Sequence, residues 1–173
     1  MITVLADTSA LISLEIKGLV NQASKLVRFI ISKAVYDELS GIAKFEDVHG
    51  RSAKDLLRLI EGGVITVKSV SLIPEHLNNI DIGEAEILSL AGTCKCDYVI
   101  TDDVRALPYM KSVAEVKVLT SAFVIRLLYD AGVLSREDAL SSIKEIAASR
   151  DWYGGVFEVI ACEYFDEKLD NPV

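Results

Sequence analysis

Five short runs of apolar residues punctuate the chain, separated by longer stretches of mixed polarity. Each run is mostly apolar and contains a single charged residue or threonine, a composition typical of strands buried on both faces of a parallel sheet. They predict strands at residues 2–6, 27–31, 64–67, 98–101 and 116–119.

Between these runs, apolar positions recur every three or four residues, which predicts amphipathic helices. Thr8 or Ser9 is the predicted N-cap of the first helix, and Ser32 and Ser135 precede two later ones. Residues 44–50 are expected to form a charged loop. The predicted helices cover residues 10–14, 19–26, 32–42, 52–60, 81–91, 121–131, 136–148 and 151–169.

Strands that alternate with helices predict a parallel sheet covered by helices on both faces. We therefore expect an α/β fold with three layers, α/β/α, around a central, mainly parallel sheet of about five strands, followed by C-terminal helices. No repeat or linker interrupts the chain. Residues 1–130 are expected to form the α/β domain, and residues 131–173 a helical extension packed on that same domain.

The composition fits one domain with a substantial core. The chain has 173 residues, of which 51% are hydrophobic, and its mean hydropathy is +0.34. A chain of this length buries roughly 70% of the surface that it exposes when unfolded. No apolar run reaches the ~18 residues that a membrane span needs. Because no secretion signal is visible either, we expect a cytoplasmic protein with no membrane partner.

The charge balance argues against tight, nonspecific binding of nucleic acid, because the net charge is −8 and the pI about 4.8. It does not exclude a nuclease whose acids are concentrated at a metal site. Cys94, Cys96 and Cys162 lack metal-ligand spacing and are expected to be reduced thiols. His49 and His76 stand far apart, and neither is expected to bind metal or act as a base.

Acidic residues recur near the junctions of predicted strands and helices. Asp7 follows the first strand, and Asp102 and Asp103 follow the fourth, while Glu38 and Glu84 lie in or at the start of helices. Functional groups in open α/β sheets gather outside the carboxyl ends of the strands. Carboxylates brought together there repel one another, and a hard divalent cation relieves that repulsion. The layout therefore indicates metal-ion chemistry.

Four motifs carrying these acids resemble a PIN domain, the fold of many prokaryotic toxin ribonucleases. They are Val-Leu-Ala-Asp-Thr-Ser-Ala-Leu-Ile at 4–12, Val-Tyr-Asp-Glu-Leu at 35–39, Ile-Gly-Glu-Ala-Glu-Ile-Leu-Ser-Leu-Ala at 82–91 and Tyr-Val-Ile-Thr-Asp-Asp at 98–103. No single motif is specific, but their order and spacing are. The resemblance implies a parallel sheet, Mg²⁺ or Mn²⁺, and hydrolysis of RNA phosphodiester bonds.

Carried over by position, the resemblance assigns four acids to the site. Asp7 matches the first, Glu38 the second and Glu84 the third, and either Asp102 or Asp103 matches the fourth. Asp7 and one of that pair would hold the metal directly, and Glu84 directly or through water. Glu38 would orient or deprotonate the attacking water. Glu84 departs from the family, in which aspartate is commoner at the third position.

Supporting roles are expected for four neighbours of these acids. Thr8 and Ser9 are candidates for hydrogen bonds to the acids or to a phosphate, and Thr101 supports the fourth acid. For Arg105, contact with substrate phosphate and a solvated surface charge both stay open.

The resulting hypothesis is a metal-dependent endoribonuclease, and whether it is the toxin of a toxin–antitoxin pair stays open. The alternative is a catalytically silent PIN fold that binds RNA or protein. A phosphatase or receiver-like protein fits less well, because no convincing lysine follows at a strand end. RNA and an antitoxin are the expected partners, together with a second copy of the chain. The candidate dimer surface comprises Trp152, Tyr153, Val156, Phe157, Ile160, Tyr164 and Phe165.

Overall fold

The computed structural model describes residues 1–150, 159, 161 and 163–165. Its centre is a five-stranded sheet in the order β3-β2-β1-β4-β5, and every neighbouring pair of strands is parallel. The predicted three-layer α/β/α fold is therefore confirmed. The strands are β1 (Ile2–Ala6), β2 (Val27–Ser32), β3 (Ile65–Lys68), β4 (Tyr98–Ile100) and β5 (Lys117–Leu119).

Eight α-helices connect and follow these strands within the described part of the chain. They are α1 (Thr8–Ile16), α2 (Leu19–Ala23), α3 (Lys33–Ile42), α4 (Val48–Glu61), α5 (Ile82–Ala91), α6 (Leu107–Val113), α7 (Ser121–Asp130) and α8 (Arg136–Arg150). A short 3₁₀ helix, Pro74–Asn78, lies between β3 and α5. None of the described helices is long and apolar enough to cross a membrane.

The strand order places β1 at the centre of the sheet, at the point where the chain changes direction. From β1 the chain steps outward to β2 and β3, and then returns to lay β4 against the other side of β1. Ala6 is in register with Ile100, and the Asp7 backbone N–H donates to the Ile100 carbonyl at 3.2 Å. Asp7 and Thr101 therefore leave the sheet side by side, at the kind of switch point where α/β proteins bind ligands.

Helix α1 holds the start of this edge in place because it is buried along most of its length. Thr8 and all residues from Ala10 to Leu14 are buried, and the helix packs against α2, α4, α7 and α8. A helix that is apolar on every side gains most from such enclosure. The backbone that follows Asp7 is thereby anchored in the core.

The structure corrects three details of the local predictions. Asp7 is the N-cap of α1, not Thr8 or Ser9: it follows the strand directly in an extended conformation, and its carboxylate accepts from the Ala10 N–H at 2.8 Å. Helix α4 begins four residues earlier than expected, because Asp47 caps it through the Gly50 N–H at 2.8 Å. Helix α6 was not predicted, since its short sequence with proline near the start lacks a clear helical period.

Other local predictions are confirmed. Ser32 lies at the start of α3, as expected, and accepts there from the Val35 N–H at 3.2 Å. Ser135 Oγ accepts from the Asp138 N–H at 3.0 Å at the start of α8. Cys94 and Cys96 are free thiols, whereas Cys162 lies outside the described residues.

The C-terminal segment returns to the α/β domain where it is described. Helix α8 packs on α7 and α1. Farther on, the ring of Phe165 lies 5.8 Å from that of Tyr129, and Tyr164 is half-buried against the core. Two residues of the expected dimer surface thus pack on this protomer. The other five, Trp152, Tyr153, Val156, Phe157 and Ile160, lie outside the described residues.

Candidate functional site at the carboxyl edge of the sheet

A cavity of about 350 Å³ opens at the carboxyl edge of the sheet, beside the end of β1. Its volume lies at the lower end of the range for small-ligand sites. Seven of the predicted site residues line it: Asp7, Thr8, Ser9, Glu38, Glu84, Asp103 and Arg105. The fold thus gathers side chains from β1, α1, α3, α5 and the segment after β4.

Asp7 is almost completely buried, with 3% of its surface exposed. Its carboxylate accepts hydrogen bonds from the Ala10 N–H at 2.8 Å, from Ser9 Oγ at 2.8 Å and from Thr101 Oγ1 at 2.5 Å. Burial raises the pKa of Asp7 to about 6, and the nearby charge of Asp102 adds to the rise, although these hydrogen bonds oppose it. Asp7 is therefore a well-oriented carboxylate that is costly to ionise.

Glu84 enters the cavity from the start of α5, where it also completes a capping box with Asp81. The Glu84 carboxylate accepts from the Asp81 N–H at 2.9 Å. Burial, together with the charges of Asp7, Asp81 and Asp103, raises the pKa of Glu84 to about 7. The three neighbouring acids thus act on Glu84 at close range, and bringing a cation among them would relieve the repulsion.

Glu38 projects from α3 and is fixed at one of its two oxygens. Thr8 Oγ1 donates to Glu38 Oε2 at 2.6 Å. The first turn of α5 lies close by, because a Cβ built on Gly83 would lie 3.5 Å from the same oxygen. Asp37, the preceding residue, is exposed and forms an ion pair with Lys33. Of this acidic pair, only Glu38 lines the cavity.

Asp102 and Asp103 diverge, although they are adjacent in sequence. The Asp102 carboxylate accepts from the Ser121 N–H at 2.8 Å and from Ser121 Oγ at 2.7 Å, so it bridges to the start of α7. Asp103 lines the cavity and is bound by Arg105, whose Nη2 lies 3.0 Å from Asp103 Oδ2. Asp102 is not among the residues that line this cavity.

The two carboxyls also differ in their pKa. Burial raises the pKa of Asp102, even though Arg150 and hydrogen bonds from Ser121 and Ser13 oppose the rise. Burial acts on Asp103 in the same direction, but the hydrogen bonds and charge of Arg105 outweigh it and lower the Asp103 pKa. Asp103 is therefore the member of the pair that stays ionised at the cavity.

Comparison with known protein families bears on what this site is. A family model described as the PIN domain matches residues 3–156. The chain belongs to the PIN domain family. Among curated proteins, none matches the chain significantly. PIN domains are generally nucleases that use divalent metal ions.

The donor set of this PIN domain fits a hard divalent cation by its chemistry. Asp7, Glu84 and Asp103 offer carboxylate oxygens, the ligands that Mg²⁺ and Mn²⁺ prefer. Within the described residues, however, no three acidic, histidine or cysteine side chains already converge as a ligand set. The Asp7 oxygens are held by hydroxyl groups and the Asp103 oxygens by Arg105. Side-chain rotation would therefore accompany metal binding.

Several residues of the PIN domain cavity were missed from the sequence. Asp81 had a detectable signal, since Asp-x-x-Glu before an apolar run is a capping box. His49 and Arg150 had none, because each reaches the cavity through packing with residues distant in the chain. Arg150 ends α8 and donates through Nη1 to the Ser9 carbonyl oxygen, and to Ser13 Oγ at 3.0 Å. Phe45 and Asp47 also line the cavity.

Proposed function

We propose that this PIN domain is a metal-dependent endoribonuclease that hydrolyses RNA phosphodiester bonds. The proposal rests on Glu84. The pKa of this side chain rises to about 7 because it is buried and because the charges of Asp7 and Asp103 act on it. Such mutual repulsion in a concave site is a mark of functional carboxylates. RNA, rather than DNA, follows from the resemblance to toxin ribonucleases.

In this proposal Asp7, Glu84 and Asp103 would hold Mg²⁺ or Mn²⁺. The bound ion would supply a Lewis acid that lowers the pKa of water and offsets charge on the phosphate. Asp103 is preferred over Asp102 as the fourth acid because it lines the cavity and its pKa is lowered. Asp102 instead accepts a hydrogen bond from the Ser121 N–H and so links the segment after β4 to the start of α7.

The other residues orient groups rather than bind the ion. Ser9 and Thr101 hold the Asp7 carboxylate through hydrogen bonds of 2.8 and 2.5 Å. Thr8 binds one oxygen of Glu38, which leaves the second oxygen to accept a proton from the attacking water. Arg105 is exposed beside Asp103, so it is in reach of both this acid and an incoming phosphate.

The biological setting is part of the same proposal. The proposal keeps the cytoplasmic location expected from the sequence. Pairing with an antitoxin follows from the family resemblance, and a homodimer that brings two cavities near a shared groove follows from that resemblance and from the C-terminal apolar surface. The homodimer would use the C-terminal aromatic surface only where that surface is left open, because Tyr164 and Phe165 already pack on this protomer. The expected domain limits, 1–130 and 131–173, belong to the proposal too.

Cleavage of a fluorescent RNA by the Asp7→Asn variant tests the proposal. We expect a loss of activity on the order of 10³-fold, because the change removes a metal-binding charge. Thermal stability should be unchanged, since asparagine caps a helix as well as aspartate does. Asp37→Asn is the matched control: it also removes one carboxylate, but from an exposed ion pair, and should alter cleavage by no more than about twofold.

Four outcomes would contradict the proposal. Asp7→Asn with full activity would remove Asp7 from the site, and a variant that unfolds more readily would make Asp7 structural. Cleavage that persists in excess EDTA would rule out metal dependence. Wild-type protein that binds RNA but does not cleave it with either Mg²⁺ or Mn²⁺ would favour the silent RNA-binding alternative.

A further inference from the structure

Part of the lining of the cavity is apolar. It is formed by Ile12, Val35, Ile42 and Phe45. The first two are buried or nearly so, but Phe45 is 62% exposed. A single exposed apolar side chain is ordinary, but Phe45 also lines the cavity that holds the acids, so its ring is available to a ligand bound there.

The backbone that carries Phe45 is held in place from both sides. The Phe45 N–H donates to the Ile42 carbonyl at 3.0 Å, at the end of α3. On the other side, a Cβ built on Gly50 would lie only 2.0 Å from the Phe45 carbonyl oxygen, so only glycine permits this approach of α4. Arg51 Nη1 also binds the Glu46 carbonyl at 2.7 Å. The Phe45 ring is thus presented on an ordered turn.

A nucleotide, like this cavity, has one charged part and one apolar part. Its phosphate requires a cation, which the acids at Asp7 and Glu84 would hold, and its base is a flat ring with an apolar face. Aromatic side chains bind the bases of single strands by stacking, with little dependence on sequence. A cavity of about 350 Å³ that joins both surfaces fits one such unit better than an extended protein surface.

We propose that Phe45 stacks on an unpaired nucleobase next to the scissile phosphate and so positions the RNA substrate. This inference rests on the proposed nuclease function and names a residue that positions its substrate. Double-stranded RNA would not reach the ring, because its bases are paired and stacked on one another. Lys44, the exposed residue before Phe45, adds a positive charge to the same turn.

Binding of a short, labelled single-stranded RNA tests the inference by fluorescence anisotropy. The full-length Asp7→Asn protein serves as the background, so that the RNA stays intact. Adding Phe45→Ala should weaken binding on the order of tenfold, and Phe45→Trp should retain it. Val133→Ala is the matched control, because Val133 is also an exposed apolar residue, lies between α7 and α8, and does not line the cavity.

A second probe is the same RNA with single abasic sites placed along it. At the stacked position, the missing base should weaken binding to the Asp7→Asn protein as much as Phe45→Ala does. The two changes together should weaken binding no more than either change alone. In the otherwise wild-type protein, Phe45→Ala should lower kcat/KM for single-stranded RNA by a similar factor.

The results separate failure of this inference from failure of the nuclease proposal. If wild-type protein cleaves RNA while Phe45→Ala binds and cleaves equally well, the stacking role is wrong and the nuclease stands. If Phe45→Ala leaves RNA binding unchanged but converts a dimer to a monomer by light scattering, Phe45 belongs to a protein interface. If the wild type neither binds nor cleaves RNA, both proposals are wrong.

Discussion

The acids at the carboxyl edge of the sheet have two kinds of surroundings. The cavity acids, Asp7, Glu84 and Asp103, line a shared open space. Asp102, next to Asp103 in the sequence, instead bridges to the start of α7, where the N–H and the hydroxyl of Ser121 donate to its two oxygens. The charges of Asp7 and Asp103 thus act on Glu84 at the cavity, whereas Asp102 is bound by α7 and does not line it.

This contrast shows that a raised pKa alone does not distinguish a functional acid from a structural one. Burial raises the pKa of Asp102 as it does that of Asp7. Glu15 provides a third case, because burial and the nearby Asp55 raise its pKa to about 7 although it does not line the cavity. What distinguishes Asp7 and Glu84 is a raised pKa together with a place on an accessible concave surface, and Asp103, whose pKa is lowered, shares that surface.

The largest expected effects come from changing Asp102 and Asp103 separately. Asp103→Asn should lower the cleavage rate on the order of 10²-fold without loss of stability, because Arg105 is largely exposed and asparagine can still accept from the Arg105 N–H. Asp102→Ala should instead lower the free energy of unfolding by about 2–3 kcal/mol, because it leaves the two Ser121 donors without their acceptor.

Rate measurements and chemical denaturation of both variants test this division of roles. The two effects should be separable: the Asp103 variant folds normally and is inactive, and the Asp102 variant is less stable. If Asp102→Ala is as stable as the wild type while its cleavage is lost, Asp102 is the functional acid and the proposed roles are reversed.

A smaller effect is expected in the pH dependence of stability without metal. Because the Glu84 pKa is raised from 4.5 to about 7, the folded chain retains a proton that the unfolded chain has lost in this window. The free energy of unfolding should therefore be higher near pH 4.5 and fall as the pH rises through 7. Glu84→Gln should remove this part of the slope and stabilise the protein at pH 7.5 by about 1 kcal/mol, allowing for solvent screening.

Denaturation at several pH values in EDTA, repeated with Mn²⁺, measures this effect. Glu15→Gln is the matched control, since Glu15 titrates in the same window but lies away from the cavity. Mn²⁺ should remove the contribution of Glu84 and leave that of Glu15. An unchanged slope in Glu84→Gln, or an equal response of both variants to Mn²⁺, would contradict the assignment.

The sequence was sufficient for the sheet because buried parallel strands are short, continuous apolar runs that local composition reveals. It also placed Asp7 and the Asp102–Asp103 pair after the ends of strands, although it did not give the order of the strands that makes β1 and β4 neighbours. It could not separate Asp102 from Asp103. Their difference depends on Ser121, which reaches Asp102 only through the packing of α7.

Other features of the site depended on tertiary contacts in the same way. Arg150 lies 141 residues after Ser9, and no local pattern relates the two. The exposed position of Phe45 depends on the close approach of Gly50, which a sequence shows only as one more glycine. Asp7 was overlooked as the N-cap of α1 because Thr8 and Ser9 are also capping residue types. Only the direction of the backbone after β1 decides among the three.

A crystal soaked in millimolar Mn²⁺ tests the central claim most directly, by anomalous scattering. We expect one or more ions among Asp7, Glu84 and Asp103, with each ion at about 2.0–2.3 Å from carboxylate oxygens. The carboxylate of Asp102 should remain on Ser121. The absence of any ion from the cavity, or an ion bound by Asp102 instead of Asp103, would contradict this account of the site.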